Sequence, residues 1–257
     1  MTKMAGQHIA RLQHFAGYET RSCRYGFFDR HGGVSDGAFS SLNIGMAVGD
    51  SEAAVAANRQ LVKRCLRADC LISAHQVHGD RVYQVGENSG ADLEVEGYDA
   101  LITRQTGVGL IVQHADCQAV LLYDPVHEAI GAVHSGWRGS VANIIAATVG
   151  AMNRAFATDP ADLQTVISPS LGPCCAEFVN YAEELPTSFL PFMDNRKHFD
   201  FWQISKRQLL SCGVRAQAIA VSAICTSCSP DYFSYRRACR EKRVTGRNCS
   251  GIVLTAR

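Results

Sequence analysis

Apolar residues fall along this chain in short unbroken runs more often than in strict alternation. Runs of this kind suit strands covered on both faces. They place strands at 25–29, 71–74, 81–85, 99–103, 110–113, 119–123, 129–134, 165–168, 216–223 and 251–255. Helical periodicity is rarer. Asp50 is placed to cap a helix running to about Leu66, with Glu52 in its first turn and Val55, Val62 and Leu66 on one face. Ser140 is placed to cap a second, in which Val141, Ile144, Ile145, Thr148, Met152 and Phe156 keep the 3.6-residue period. Segments 177–184 and 205–212 are shorter candidates, the latter stopped by Gly213. Strands outnumber helices, and many connections are too short for a helical crossover. The expected fold is therefore α/β, a single domain over 1–257 of mixed β-sheets, stacked or sandwich-like, flanked by α-helices.

Composition sharpens this picture. With 257 residues, 47% hydrophobic, the chain is long enough to build its own core. A formal net charge of +1 sets up no global field for nucleic acid or an anionic membrane, so neither is an expected partner. The stretch 1–17 has no signal-like apolar core and no run reaches the length of a membrane span, so a cytoplasmic location is expected. Eleven cysteines in a chain of this size then read as core, metal-binding or catalytic thiols rather than as a disulfide scaffold. The absence of an evident linker or coiled coil suggests a monomer or weak homodimer.

Candidate chemistry gathers at strand ends. In "AHQVHGDRV" (74–82), His75 and His78 flank a strand end, where neighbours three apart point to opposite sides, so they are not read as a pair. In "LIVQHADCQAVLLYD" (110–124), Cys117 sits between two apolar runs, with His114 and Asp116 nearby. In "AVHSGWRGS" (132–140), His134 ends a strand before a glycine turn and Arg138 is placed for an anion, which reads as a site; the alternative is a structural turn with Trp137 as a core plug. His78, Cys117 and His134 together suit a catalytic zinc site with one open position, or equally a Cys–His nucleophile pair. In "GPCC…CTSC", Cys174, Cys175, Cys225 and Cys228 pair a C-C dipeptide with a C-x-x-C, which disfavours a closed Cys₄ zinc and leaves core or near-site thiols as the expectation. Six Lys/Arg between Arg236 and Arg247 form either a solvated basic loop or an anion site. No P-loop or Rossmann fingerprint is present.

In this order, "SSLNIG…VGDSEAAVAANR", "QVHG", "DALIT", "ADC", "HSGWRG", "LGPCC" and "FSYRR…TGR" resemble the laccase-domain family, polyphenol oxidase-like proteins now described as purine nucleoside phosphorylases. The motifs extend from about Phe27 to Leu254. The resemblance implies an α/β fold of mixed sheets related to the deamidase domain of cytotoxic necrotizing toxins. It implies metal ligation and catalysis by His78, Cys117 and His134, with Zn²⁺ as cofactor in preference to copper. It implies phosphorolysis of adenosine, inosine, guanosine and 5′-methylthioadenosine, and adenosine deamination. Purine nucleosides and phosphate would be the partners. Arg138, Arg236, Arg247, Asn43 and Tyr235 are candidates for substrate or phosphate contacts. Two departures stand beside the ligands: Ser135 where the family usually has Ala, and Ala119 where Pro is common. No residue of the motifs stands out as the acid for the leaving base.

Three rival readings compete with that one. A multicopper laccase needs repeated His-x-His pairs, and the chain has none. A Cys-nucleophile amide hydrolase, acting on peptidoglycan precursors, would use Cys117 and His134 as nucleophile and base. A non-catalytic module would have no packing reason to keep two imidazoles and a thiol at strand ends.

Overall fold

The computed structural model describes residues 22–86 and 90–255. The stretch 1–17, read for a leader, lies outside them. Among these described residues, eleven strands form two mixed sheets. The first, in the order β1-β11-β6-β2-β4, comprises β1 (Cys23–Phe28), β11 (Asn248–Leu254), β6 (Val108–His114), β2 (Cys70–His75) and β4 (Leu93–Glu96). The second, in the order β10-β9-β7-β8-β5-β3, comprises β10 (Ile219–Val221), β9 (Gln164–Ile167), β7 (Gln118–Asp124), β8 (Ala129–Ser135), β5 (Ala100–Thr103) and β3 (Val82–Gln84). Each sheet contains both parallel and antiparallel pairs.

The sheets stack face to face. Tyr25, Ile72, Leu110 and Ile252 of the first meet Leu101, Leu121, Ala132 and Val166 of the second in one core. The outer face of the second sheet (Ile102, Val120, Leu122, Val133) is covered by α3 (Ile144–Phe156) and α5 (Phe201–Ser211). The outer face of the first (Phe28, Leu71, Ile111, Val253) is covered by α1 (Glu52–Leu66). This four-layer stack explains the unbroken apolar runs: in β7, Leu121 and Val120 serve different cores, and all seven residues are buried. A satellite cluster of Ala176, Leu185, Phe189, Phe199, Phe201 and Ile204 packs outside the stack.

The sequence expectations need correction at several edges. α1 is capped by Ser51, whose side chain accepts from Ala54 N at 3.4 Å; Asp50 turns elsewhere. The helix expected from Ser140 is two helices, α2 (Trp137–Ala142) and α3, broken at Asn143 (φ 60°), whose side chain caps the second. Ser140 lies inside α2. Within 177–184 only α4 (Tyr181–Glu184) is helical. α5 begins at Phe201, four residues early, because Asp200 accepts from Gln203 N. In 216–223 only Ile219–Val221 is strand, after a 3₁₀ turn. The basic run contains a further helix, α6 (Tyr235–Arg240), capped by Ser234. Among the described residues no helix is long and apolar enough to cross a membrane.

Candidate metal centre and its two clefts

Three strand ends converge where the two sheets meet. β2 leads into the turn carrying His78, the β6–β7 link carries Cys117, and β8 carries His134. The β7–β8 register sets Ala119 opposite His134 and Gln118 opposite Ser135, which brings Cys117 beside the Gly136 turn. Cys117 Sγ lies 3.9 Å from His78 Nε2. The His78 and His134 rings meet edge-on, centroids 4.8 Å apart. One donor atom from each of the three residues lies within 4.8 Å of the others. Tetrahedral zinc holds such donors roughly 3.3–3.8 Å apart, so a small contraction would close the set.

Asp99, immediately before β5, organises this centre. Its carboxylate accepts from His134 Nδ1 at 2.8 Å, His78 N at 2.9 Å and Gly79 N at 2.7 Å. His134 N also donates to Asp99 O at 2.7 Å. With Nδ1–H committed to Asp99, the nitrogen of His134 left free for a metal is Nε2, the carboxylate–histidine arrangement typical of metal sites. These donors also hold His78 at φ 62°, a strained left-handed conformation for a non-glycine residue. Burial alone would raise the Asp99 carboxyl, but the hydrogen bonds from His134 and the 78–79 backbone hold it below the usual carboxylate range. Burial likewise opposes ionisation of Cys117, yet the His134 charge, with hydrogen bonds from both imidazoles, brings its thiol down to about 6. The same partnership raises His134. The donors therefore fit a thiophilic dication: a thiolate, two imidazoles, and a carboxylate behind one of them.

Gly136 permits the approach. A Cβ there would fall 2.9 Å from both Cys117 Sγ and His78 Cδ2. Asp116, at φ 88°, turns its carboxylate away, onto Thr226 Oγ1 and Arg236 N. His114 is 2% exposed, bonds Ser250 Oγ through Nε2 and is pushed down to about 3 by burial and by His134, so its role is structural. His75 is exposed and bonds Glu96, separate from the centre. Both departures from the family pattern carry hydrogen bonds. Ser135 Oγ meets Ser140 Oγ at 3.1 Å, and Ala119 N donates to Ser168 Oγ, a bond proline could not make.

Two clefts share the centre. One, of about 420 Å³, has an aromatic wall of Trp137, Phe178 and Phe201. The other, of about 360 Å³, includes His134, Gln76, Gln113 and Arg247. His78, Ala115, Cys117 and Tyr235 line both. Trp137 is half-buried in the cleft wall, with the exposed Arg138 guanidinium 4.2 Å over its ring. Tyr235, 61% exposed, stands at the junction. Arg247 uses Nη1 on the carbonyls of Thr245 and Gly246, leaving Nε and Nη2 without protein hydrogen bonds among the described residues.

Two substrate candidates need correction. Asn43 is 0% exposed; its amide bonds Gly45, Asp50 and the Arg247 N–H, so it positions Arg247 and cannot reach a ligand. Arg236 lines the aromatic cleft but clasps the carbonyls of Cys175 and Glu177. Asp99, which sequence reading took only as the start of a strand, is the residue missed. Its signal was an acid opening the "DALIT" run, visible only once β5 is paired with β8. Cys174, Cys175, Cys225 and Cys228, expected as core or near-site thiols rather than a closed Cys₄ site, form one cluster with all donors within 4.8 Å.

The family described as multi-copper polyphenol oxidoreductase laccase matches residues 24–255. The chain is 36% identical over 252 residues to purine nucleoside phosphorylase ORF3 of Streptomyces griseus, covering 95% of this chain and 99% of that one. It is 32% identical to a purine nucleoside phosphorylase of Bacteroides thetaiotaomicron, covering 88% and 89%. The crystal structure of YlmD from Geobacillus stearothermophilus superposes with a TM-score of 0.80 at 29% identity, covering 92% and 93%.

Proposed function

The chain belongs to the multi-copper polyphenol oxidoreductase laccase family, and from that membership we propose that it is a zinc-dependent purine nucleoside phosphorylase with adenosine deaminase activity. The observation that carries this reading is the place of the His78–Cys117–His134 set: His78 and Cys117 line both the aromatic cleft and a second cleft that also holds His134 and Arg247. A reaction between a flat heterocyclic nucleoside and an oxyanion needs two such compartments meeting at one centre. The relatives' names point the same way. The donor set argues for zinc over copper, since it lacks the repeated His-x-His pairs of a copper oxidase.

In this reading Trp137 and Phe178 offer faces against which a purine stacks. Arg247 holds phosphate with its free Nε and Nη2, as a charge-assisted donor. Phosphate oxygen forms a bond to ribose C1′ as the bond from C1′ to the purine nitrogen breaks, and the base leaves with a proton. Adenosine, inosine, guanosine and 5′-methylthioadenosine all present that bond. Asp99 keeps His134 in one tautomer and one orientation, and the two imidazoles favour the thiolate of Cys117. Zinc held by these three residues would supply Lewis acidity toward a substrate oxygen, or toward water for deamination. A cytoplasmic setting fits cysteines of this kind.

The test is incubation of the purified protein with each nucleoside, with and without phosphate. Free base that appears only with phosphate, and inosine from adenosine without it, are expected. Neither product from any of the four nucleosides would overturn the reading. One observation favours a second one: Asp99, His134 and a Cys117 held at about 6 stand in the order of an acid–base–nucleophile relay. A metal-free protein that cleaves amides of peptidoglycan precursors, and is alkylated at Cys117 with loss of that activity, would establish it.

A further inference from the structure

The GPCC and CTSC motifs have no part in the reaction above. Cys174 and Cys175 lie on a turn closed by Cys175 N, which donates to Gly172 O at 2.9 Å. Cys225 and Cys228 lie on a second turn, closed by Ser229 N to Cys225 O at 2.9 Å. A parallel bridge between Ser170 and Cys225 ties the two turns together. Cys228 Sγ is 3.5 Å from both Cys174 Sγ and Cys175 Sγ, and all four sulfurs lie within 4.8 Å of one another. The edge of a tetrahedron of sulfurs about a zinc ion is about 3.8 Å, from a Zn–S bond near 2.3 Å. The observed spread brackets that value.

We propose that Cys174, Cys175, Cys225 and Cys228 form a second metal site, a closed tetrathiolate that takes one zinc ion. The surroundings fit a cluster that would carry a net charge of −2. Gly172 N donates to Cys225 Sγ at 3.3 Å, the amide-to-sulfur bond that stabilises a thiolate. Arg237 wraps the second turn, donating to the carbonyls of Thr226, Ser227 and Ser229. Arg240 donates to Ser227 Oγ, and Arg236 to the carbonyl of Cys175. Three arginines of α6 thus converge on the cysteine turns, which accounts for half of the basic run otherwise read as an anion site. On binding, the four S–H protons leave to solvent and four Zn–S bonds form, with no change of oxidation state. The dipeptide Cys174–Cys175 supplies two ligands because the turn after Gly172 brings both sulfurs to the same side.

The consequence is structural and reaches the first centre. The site would staple the segment bearing Leu171 and Phe178, both in the aromatic cleft, to the segment bearing Thr226 and Arg236. Those two residues hold the Asp116 carboxylate, next to Cys117. The site does not depend on which reaction the first centre performs.

Elemental analysis of protein prepared with reductant and zinc tests this. About two zinc ions per chain are expected in the wild type, and about one in each of Cys117→Ala and Cys228→Ser. Differential alkylation of the native wild-type protein, mapped by mass spectrometry, needs no variant. Cys174, Cys175, Cys225 and Cys228 should be protected with zinc bound and become reactive together after chelation. One zinc per chain in the wild type, lost in Cys117→Ala, would overturn the proposal. So would iron in place of zinc, alkylation of the four thiols at rates indifferent to the chelator, or a disulfide among them in the reduced preparation.

Discussion

Asp99 and His134 are joined twice, through His134 N to Asp99 O at 2.7 Å and through His134 Nδ1 to Asp99 Oδ1 at 2.8 Å. The first bond belongs to the entry of β5 against β8, so backbone pairing delivers the carboxylate to the imidazole. The same carboxylate accepts from the His78 backbone, which makes one buried acid the common support of two of the three donors. Asp99→Asn keeps the volume but loses one acceptor. It should weaken zinc about 10–100-fold, as loss of a carboxylate behind a ligand histidine does. Competition against a chromophoric chelator measures this, and an unchanged affinity would remove Asp99 from the centre. Thermal unfolding of the variant separates that effect from loss of fold.

Gly136 makes a sharper geometric claim. Its φ of −79° suits any residue, so backbone strain cannot explain the glycine. The contacts can: a methyl group would sit 2.9 Å from Cys117 Sγ and His78 Cδ2. Gly136→Ala should therefore push the donors apart and cost zinc occupancy and turnover by tenfold or more, while overpacking costs about 1–3 kcal/mol of stability. Full zinc content in a folded Gly136→Ala protein would show that the turn has slack the geometry does not reveal.

Much of this architecture was legible in the sequence because the strands are buried on both faces, and continuous apolar runs such as 119–123 have few alternatives. What escaped was local. β4, Leu93–Glu96, is an edge strand with exposed Leu93 and Glu96, too polar to read as part of a double-sided stack. The break at Asn143 depends on a left-handed residue that no periodicity marks. At the centre, motif position pointed to the three candidate ligands, but Asp99 acts through a strand register set by residues more than thirty positions away. Asn43 failed as a substrate contact for the opposite reason: a polar residue in a family motif was fully spent on the backbone around it. The four cysteines are visible in the sequence, but a closed cluster is disfavoured there, because a C-C dipeptide presents two sulfurs to one side only in a particular turn.

Arg247 and Arg236 should behave differently, although both lie in the same basic run. Arg247→Ala removes a guanidinium with free donors in the second cleft, and a charge-assisted hydrogen bond contributes about 1.5–3 kcal/mol. The KM for phosphate should rise roughly 10–150-fold, with the nucleoside KM little changed. Arg236→Ala instead frees the carbonyls of Cys175 and Glu177 and should lower stability without a selective effect on phosphate. Steady-state kinetics in each substrate, with unfolding curves, distinguish the two. A selective phosphate defect in Arg236→Ala alone would reverse the assignment.

Asp50 supports Arg247 from behind and should make this region sensitive to acid. Its carboxylate accepts from Ser35 Oγ at 2.6 Å, Asn43 Nδ2 at 2.8 Å and Ser51 N at 2.8 Å. Burial would raise its pKa, but these hydrogen bonds outweigh burial and hold it below its ordinary value. A folded pKa below the unfolded one means the unfolded chain binds the proton more readily. The stabilisation is then fully present above the unfolded value, about 3.9, and is lost as pH falls through the folded value. Asp50→Asn turns one acceptor into a donor and lacks this contribution at every pH. At neutral pH it should be less stable than the wild type by about 1–2 kcal/mol, and the gap should shrink below about pH 4 as the wild-type carboxylate protonates. Urea unfolding of both proteins at neutral and acid pH measures the gap. A difference that stays constant across that range would mean that the Asp50 charge contributes nothing and that the loss is steric.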